Sequence, residues 1–141
     1  ETEKDLREQV GTIKTLLAEV ADKQGARKDK RKAKLEEQFN AVKEQIEADS
    51  NRLEQELIFY LEKMDINEEV VRLGSHCEYF VHILEDDDRT DKGKKLNFVS
   101  QEMGREINTL GAKAYDAELQ RLVVQMKDAL EKIKEQLNNV V

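Results

Sequence analysis

The 141-residue sequence predicts an all-α fold of about five helices, on the basis of three observations. It contains no proline, the residue that interrupts helices most strongly. Apolar residues recur every three or four positions in each long segment, which is the spacing of one helix face. Charged residues make up 39% of the chain and aromatic residues only 5%, so the buried surface has to come mainly from aliphatic stripes. We expect a long helical hairpin or coiled-coil arm over residues 1–64 and a small helical bundle over residues 65–141.

The arm is predicted to consist of two helices. The first is expected to end near Asp22–Gly25, and the basic run ARKDKRKAK at 26–34 is expected to open a second helix that continues to about Met64. The heptad-like stripe of the second helix is typical of a hairpin or coiled coil. The two stripes consist of Leu6, Val10, Ile13, Leu17 and Val20, and of Leu35, Phe39, Val42, Ile46, Leu53, Leu57 and Leu61.

Three further helices are predicted for the bundle. A turn at Asp65–Asn67 precedes the third, the acidic run EDDDRTDKG at 85–93 separates the third from the fourth, and Gly111 is a candidate break before the last. The expected inward-facing residues are Val70, Leu73, Cys77, Phe80 or Val81, and Leu84 in the third helix, Leu96, Val99, Met103, Ile107 and Leu110 in the fourth, and Leu119, Leu122, Met126, Leu130, Ile133 and Leu137 in the fifth.

Charge and cysteine content limit the classes of function. A formal net charge of −7 argues against coating of nucleic acid by bulk electrostatics and leaves room only for a local basic patch. The single cysteine, Cys77, cannot form an intrachain disulfide and lies on an apolar stripe, so we assign it to packing and expect a cytoplasmic location. No stretch approaches the roughly 18 apolar residues of a membrane span, so no membrane partner is expected.

A polar strip accompanies the apolar stripe of the third helix. Glu69, Arg72, His76 and Tyr79 follow one another at spacings of three and four, so neighbouring side chains can orient the imidazole of His76. The alternative is that Arg72 pairs with Glu69 while His76 only edges the core. Helix geometry alone favours this second interpretation.

Two carboxylates lie one turn apart on the fourth helix. Glu102 and Glu106, with Arg105 beside them, present oxygen ligands of the kind that hard cations such as Mg²⁺ or Mn²⁺ prefer. In a chain this rich in glutamate such pairs also arise by chance, and spacing alone favours that explanation. The basic run at 26–34 has a similar pair of interpretations, as a phosphate-contacting patch or as an ordinary solvated stretch of helix.

A family resemblance is carried by RLEQEL at 52–57, DINEEVVRLGSHCEYF at 65–80, and GKKLNFVSQEMGREINTLGAKAYDAELQRLVVQMKDALEKIKEQLNN at 93–139. These segments resemble the carboxy-terminal region of the YicC/YloC family of bacterial endoribonucleases. The QEM-REINTLG-KA-D run and the SH pair are the specific part of the match. Members of the family also carry an amino-terminal domain, so we expect this chain to be a fragment that begins in the helical middle region.

The resemblance implies a metal-dependent endoribonuclease that hydrolyses RNA phosphodiester bonds with Mn²⁺ or Mg²⁺ and assembles as a ring-like homo-oligomer. It gives roles to the polar residues. His76, Glu102 and Glu106 are the candidate catalytic residues, Glu102, Glu106 and Asp116 the candidate metal ligands, and Arg72, Arg105, Lys113, Arg27, Lys28 and Arg31 the candidate RNA or phosphate ligands.

Three positions depart from the family pattern. Gly104 and Tyr115 stand where asparagine is usual and Ala112 stands where serine is usual, so polar groups are expected to be missing beside the site. We therefore expect reduced activity. A second hypothesis is a non-catalytic helical assembly or RNA-adaptor module, in which the polar strip forms a network between subunits. Convergence of His76, Glu102 and Glu106 on an open cleft would favour the enzyme.

Overall fold

The all-α fold class is confirmed by the computed structural model, which describes residues 2–43, 55–59, 62, 65–114 and 116–140. The four long helices of these ranges are α1 (Thr2–Lys43), α2 (Asn67–Glu85), α3 (Lys92–Lys113) and α4 (Ala117–Val140). Residues 55–59 are also helical. The described part contains no strand.

Helix α1 runs without a break through Asp22–Gly25 to Lys43. The expectations of a helix end at this point and of a new helix opening at the basic run are therefore wrong. A single glycine in a helix interior costs only about 1 kcal/mol relative to alanine, which is too little to end a helix flanked by alanine, lysine, glutamine and arginine. The basic run thus lies in the middle of a 42-residue helix.

The aliphatic stripes predicted for the first, third, fourth and fifth segments form one hydrophobic core. Helix α1 packs against α2 and α4, and α3 packs against the same two helices, so the four helices form a bundle in which each has two main neighbours. Among the described side chains of α1, those that contribute to this core lie in the stretch Leu6–Val20. Most of the stripe predicted beyond it, from Leu35 to Leu61, has side chains outside the described residues, and the division near residue 64 stays a prediction.

The connection between α2 and α3 is closed by aspartate side chains and one lysine. The Asp86 carboxylate accepts a hydrogen bond from the backbone N–H of Asp88 at 3.0 Å, and the Asp88 carboxylate accepts one from Thr90 at 2.9 Å. The second bond lowers the pKa of Asp88. Lys92 Nζ donates to the carbonyl oxygens of Leu84 and Asp86 at 2.9 and 2.7 Å, which satisfies acceptors at the end of α2. This short connection makes α2 and α3 antiparallel.

The connection between α3 and α4 begins later than the sequence suggests. Helix α3 continues past Gly111 to Lys113 and ends at Ala114, whose backbone N–H bonds to the Leu110 carbonyl. An Asp116 carboxylate oxygen then accepts a 2.8 Å hydrogen bond from the N–H of Leu119 and so caps α4.

None of the described helices is long and apolar enough to cross a membrane.

Candidate functional site

A row of polar side chains lies along the contact between α2 and α3. One member is Arg72 on α2, whose Nε donates to both carboxylate oxygens of Glu106 on α3, at 3.0 and 3.1 Å. Arg72 Nη1 also reaches Glu68, at 3.4 Å. Glu106 is only 7% exposed. The hydrogen bond to Glu106 raises the pKa of Arg72 above its usual value. The guanidinium is therefore charged and fixed at the surface.

A second ion pair lies two turns further along α3. Lys113 Nζ contacts the two carboxylate oxygens of Glu69 at 3.3 and 3.1 Å and the backbone carbonyl of Asp65 at 3.3 Å. Glu69 is 1% exposed. The interpretation in which Arg72 pairs with Glu69 is wrong, because Glu69 lies four residues before Leu73 on the buried stripe and contacts Lys113. That spacing was the signal for a buried carboxylate.

These two ion pairs set the register of α2 against α3. One turn beyond Arg72 on α2 lies His76, and one turn before Glu106 on α3 lies Glu102, so both flank the same contact. Each is half-buried. Within the described residues no hydrogen bond reaches the His76 imidazole. The Glu102 carboxylate meets only Arg105 Nη2, at 3.9 Å.

The other sides of α2 and α3 are occupied by helices. A Cβ built on Gly74 would lie 3.7 Å from Leu17 of α1, and one on Gly104 would lie 3.2 Å from Leu130 of α4. The remaining side carries Arg72 and His76 of α2 and Glu102 and Arg105 of α3. We call it the α2–α3 face, and it is exposed along both helices.

The three predicted metal ligands are not collected into one site. Both oxygens of Glu106 accept from Arg72, and Asp116 caps α4. Across the described ranges no group of three histidine, cysteine, aspartate or glutamate side chains is arranged to hold a metal ion. Glu106 and Asp116 would therefore have to exchange their present partners before binding a cation. Glu102 could bind a cation without losing a close hydrogen bond, because Arg105 Nη2 lies 3.9 Å from its carboxylate.

The predicted phosphate ligands are distributed between two regions. Arg72, Arg105 and Lys113 all lie along the α2–α3 contact. Arg72 and Lys113 are held by carboxylates of the other helix, whereas Arg105 is exposed. The side chains of Arg27, Lys28 and Arg31 lie outside the described residues, and their backbone is part of α1. Lys30, Lys32 and Lys34 of the same run are exposed.

The three departures from the family pattern have different positions. Gly104 faces Leu130 and Lys134 of α4, on the opposite side of α3 from Arg72. The expectation that this glycine removes a polar group beside the site is therefore wrong. Ala112 is exposed, and Tyr115 lies outside the described residues.

The fold and this face define an all-α domain that presents arginine, carboxylate and imidazole groups along two antiparallel helices, with one arginine held by a buried carboxylate. Residues 20–141 match the family described as "Endoribonuclease YicC-like, C-terminal", and the chain belongs to this family. It is 45% identical over 92 residues to the "Probable endoribonuclease YicC" of Clostridioides difficile (strain 630), covering 65% of this chain and 31% of the relative.

A relative of the same name from Haemophilus influenzae (strain ATCC 51907 / DSM 11121 / KW20 / Rd) is 35% identical over 96 residues. That match covers 68% of this chain and 33% of the relative. The chain thus spans about a third of the length of these curated relatives. The family resemblance inferred from the QEM-REINTLG motif is confirmed.

Proposed function

We propose that this chain is the carboxy-terminal part of an endoribonuclease that hydrolyses RNA phosphodiester bonds. Family membership and the names of the two relatives support the activity. The structural observation that carries the proposal is the hydrogen bond from Arg72 Nε, which both oxygens of the buried Glu106 carboxylate accept. An ion pair in such a place adds little stability over apolar packing, because the Glu106 carboxylate loses most of its hydration while the Arg72 side chain stays 50% exposed. The Arg72–Glu106 pair on the α2–α3 face is better explained by a need to hold a cation in a fixed position.

In this proposal the members of the face divide the work. Arg72 and Arg105 bind phosphate oxygens, which guanidinium groups contact through paired N–H donors. Glu106 is a positioning residue, because it acts by holding Arg72. His76 donates or accepts the proton of the cleavage step, a role suited to an imidazole that exchanges protons near neutral pH.

We extend the proposal to a divalent ion, Mn²⁺ or Mg²⁺. Magnesium sites often use one or two carboxylates and complete the coordination with water and substrate phosphate oxygens. Glu102 fits that requirement, because it lies on the α2–α3 face and can bind a cation without disturbing the Arg72–Glu106 pair. When bound, such an ion neutralises charge on the phosphate under attack. Assembly as a homo-oligomer also belongs to the proposal, by analogy with the family.

One observation favours the second candidate function, a non-catalytic helical assembly or RNA-adaptor module. Glu106 is buried in the contact between two helices and not in an open cleft. Networks of this kind can also fix how two helices are oriented against each other. Histidine substitutions distinguish the two candidates, because an adaptor needs no proton transfer.

The experiment compares His76→Ala with His82→Ala, since His82 is exposed on the same helix and serves as the matched control. Both variants are placed in the chain alone and in the chain joined to the amino-terminal part of the Clostridioides difficile relative, with a labelled single-stranded RNA and Mn²⁺. His76→Ala is expected to slow cleavage about 100-fold or more without weakening RNA binding. His82→Ala should cleave like the parent.

Equal cleavage rates for the His76→Ala variant and the parent would remove His76 from the mechanism. A parent that binds RNA in both forms but never cleaves it, with Mn²⁺ or Mg²⁺, would replace the nuclease by the adaptor.

A further inference from the structure

Two exposed aromatic side chains lie at one end of the α2–α3 face. Tyr79 on α2 is 52% exposed and Phe98 on α3 is 62% exposed. Tyr79 follows His76 by three residues and Phe98 precedes Glu102 by four, so each ring is about one helical turn beyond a residue of the proposed site. The chain has only seven phenylalanine and tyrosine residues, and two of them are placed here.

The register established near Arg72 extends to these rings. At the far end of the helix pair, Lys92 Nζ of α3 donates to the carbonyl of Leu84 on α2, at 2.9 Å. Tyr79 and Phe98 lie between this contact and the Arg72–Glu106 pair. The two helices therefore remain neighbours at the level of the two rings, which occupy the same side of the bundle.

Packing among the described residues does not account for the two rings. The adjacent residues Phe80 and Val99 point into the core and are 0% and 2% exposed. Tyr79 and Phe98 are each rotated by about 100° from those core positions, toward solvent. Single exposed apolar residues are ordinary, but apolar groups that lie together and are rimmed by polar residues mark a binding surface.

The charges around Phe98 indicate the kind of partner. Lys95 and Arg105 are exposed cations on the same helix, three residues before and seven after the ring, so all three side chains lie near one side of α3. Proteins that bind single-stranded nucleic acid combine cations that follow the phosphates with aromatic rings on which the bases stack. The rings, the cations and the imidazole of His76 share the α2–α3 face and supply these two kinds of group.

We propose that Tyr79 and Phe98 form a base-stacking platform that holds unpaired bases of RNA beside His76. This inference rests on the proposed function, because it takes RNA as the substrate. It specifies single-stranded segments, since only unpaired bases can present a face to a ring. The platform would fix the register of the RNA relative to the proposed site.

The experiment measures binding of a short single-stranded RNA to the full 141-residue chain by fluorescence anisotropy. Tyr79→Leu and Phe98→Leu keep apolar bulk and helix propensity but remove the ring. Phe59→Leu is the matched control, because Phe59 is 68% exposed and lies outside α2 and α3. Circular dichroism melting curves check that each variant is folded.

Each ring-removing substitution is expected to weaken RNA binding by at least about 5-fold, whereas Phe98→Trp and Tyr79→Phe retain it. Phe59→Leu should bind like the parent. With an RNA of the same length that lacks bases, the parent and the two leucine variants should bind alike, because only phosphate contacts remain.

The outcomes separate this inference from the proposed function. Unchanged RNA binding in both leucine variants, with a parent that binds, would overturn the platform and leave the endoribonuclease proposal intact. A parent that does not bind RNA contradicts the RNA contact on which both depend. If sedimentation shows that the leucine substitutions dissociate an oligomer while RNA affinity is unchanged, the rings cover an interface between copies of the chain and the platform is overturned.

Discussion

The substitution Lys113→Met tests whether the buried carboxylate of Glu69 depends on its single close cation. Lys113 Nζ lies 3.1 Å from one oxygen of Glu69 and 3.3 Å from the other, and Glu69 itself is 1% exposed. Methionine keeps most of the length and the apolar stem of lysine and removes the charged ammonium group with its N–H donors. The variant therefore leaves a buried carboxylate without its partner and creates no cavity.

The structure sets the size of the expected effect. Removing one partner of a buried ion pair typically costs about 3–5 kcal/mol, because the remaining charge is uncompensated. The Lys113 side chain is 33% exposed, so water can approach the pair and the loss should lie near the lower end, about 3 kcal/mol. For a chain of this size that corresponds to a fall in Tm of about 10 °C.

The assay is urea and thermal unfolding followed by circular dichroism, with Lys132→Met as the control. Lys132 is exposed on α4, and its loss should change the free energy of unfolding by less than about 0.5 kcal/mol. The double variant Glu69→Gln/Lys113→Met should recover most of the lost stability, since no charge is then buried. A loss below about 1 kcal/mol in Lys113→Met, or a double variant as unstable as the single one, would refute the reasoning.

Two further predictions follow from single residues. Burial raises the pKa of the Cys77 thiol from 9.0 to about 12, so the native thiol should react with a disulfide reagent at pH 8 only as fast as the protein opens. The folded-state pKa is higher than the unfolded-state value of 9.0, so the thiol's contribution to stability is complete below pH 9 and is lost as pH rises toward 12. Rapid reaction of the native thiol at pH 8 would contradict its burial. Glu102→Gln should abolish Mn²⁺ binding measured by calorimetry, whereas Glu106→Gln should retain it; the reverse result would make Glu106 the ligand.

Periodicity predicted the core well, because the aliphatic stripes are long and no proline interrupts them. The stripe Leu119–Leu137 is an example in which the inward-facing side chains named from spacing are buried. Helix ends were less predictable. The break expected near Gly25 does not occur, since the cost of one glycine is small beside the favourable propensity of its neighbours.

The candidate site was predictable as a face but not as a set of pairs. Residues four apart on a helix differ by about 40° in direction, so Glu102 and Glu106 share a side of α3 without sharing an environment. Helix α2 lies on the side toward which Glu106 is rotated. The Glu106 side chain is therefore only 9% exposed, whereas that of Glu102 is 27% exposed. The position of α2 is a tertiary property that spacing within α3 cannot supply. It assigns Glu106 to Arg72 and Glu69 to Lys113, and it leaves His76, Glu102 and Arg105 as the groups on the face with the fewest close partners. In the function that we propose, these three groups take the proton, the divalent ion and a phosphate oxygen, while Arg72, held by Glu106, supplies the fixed cation.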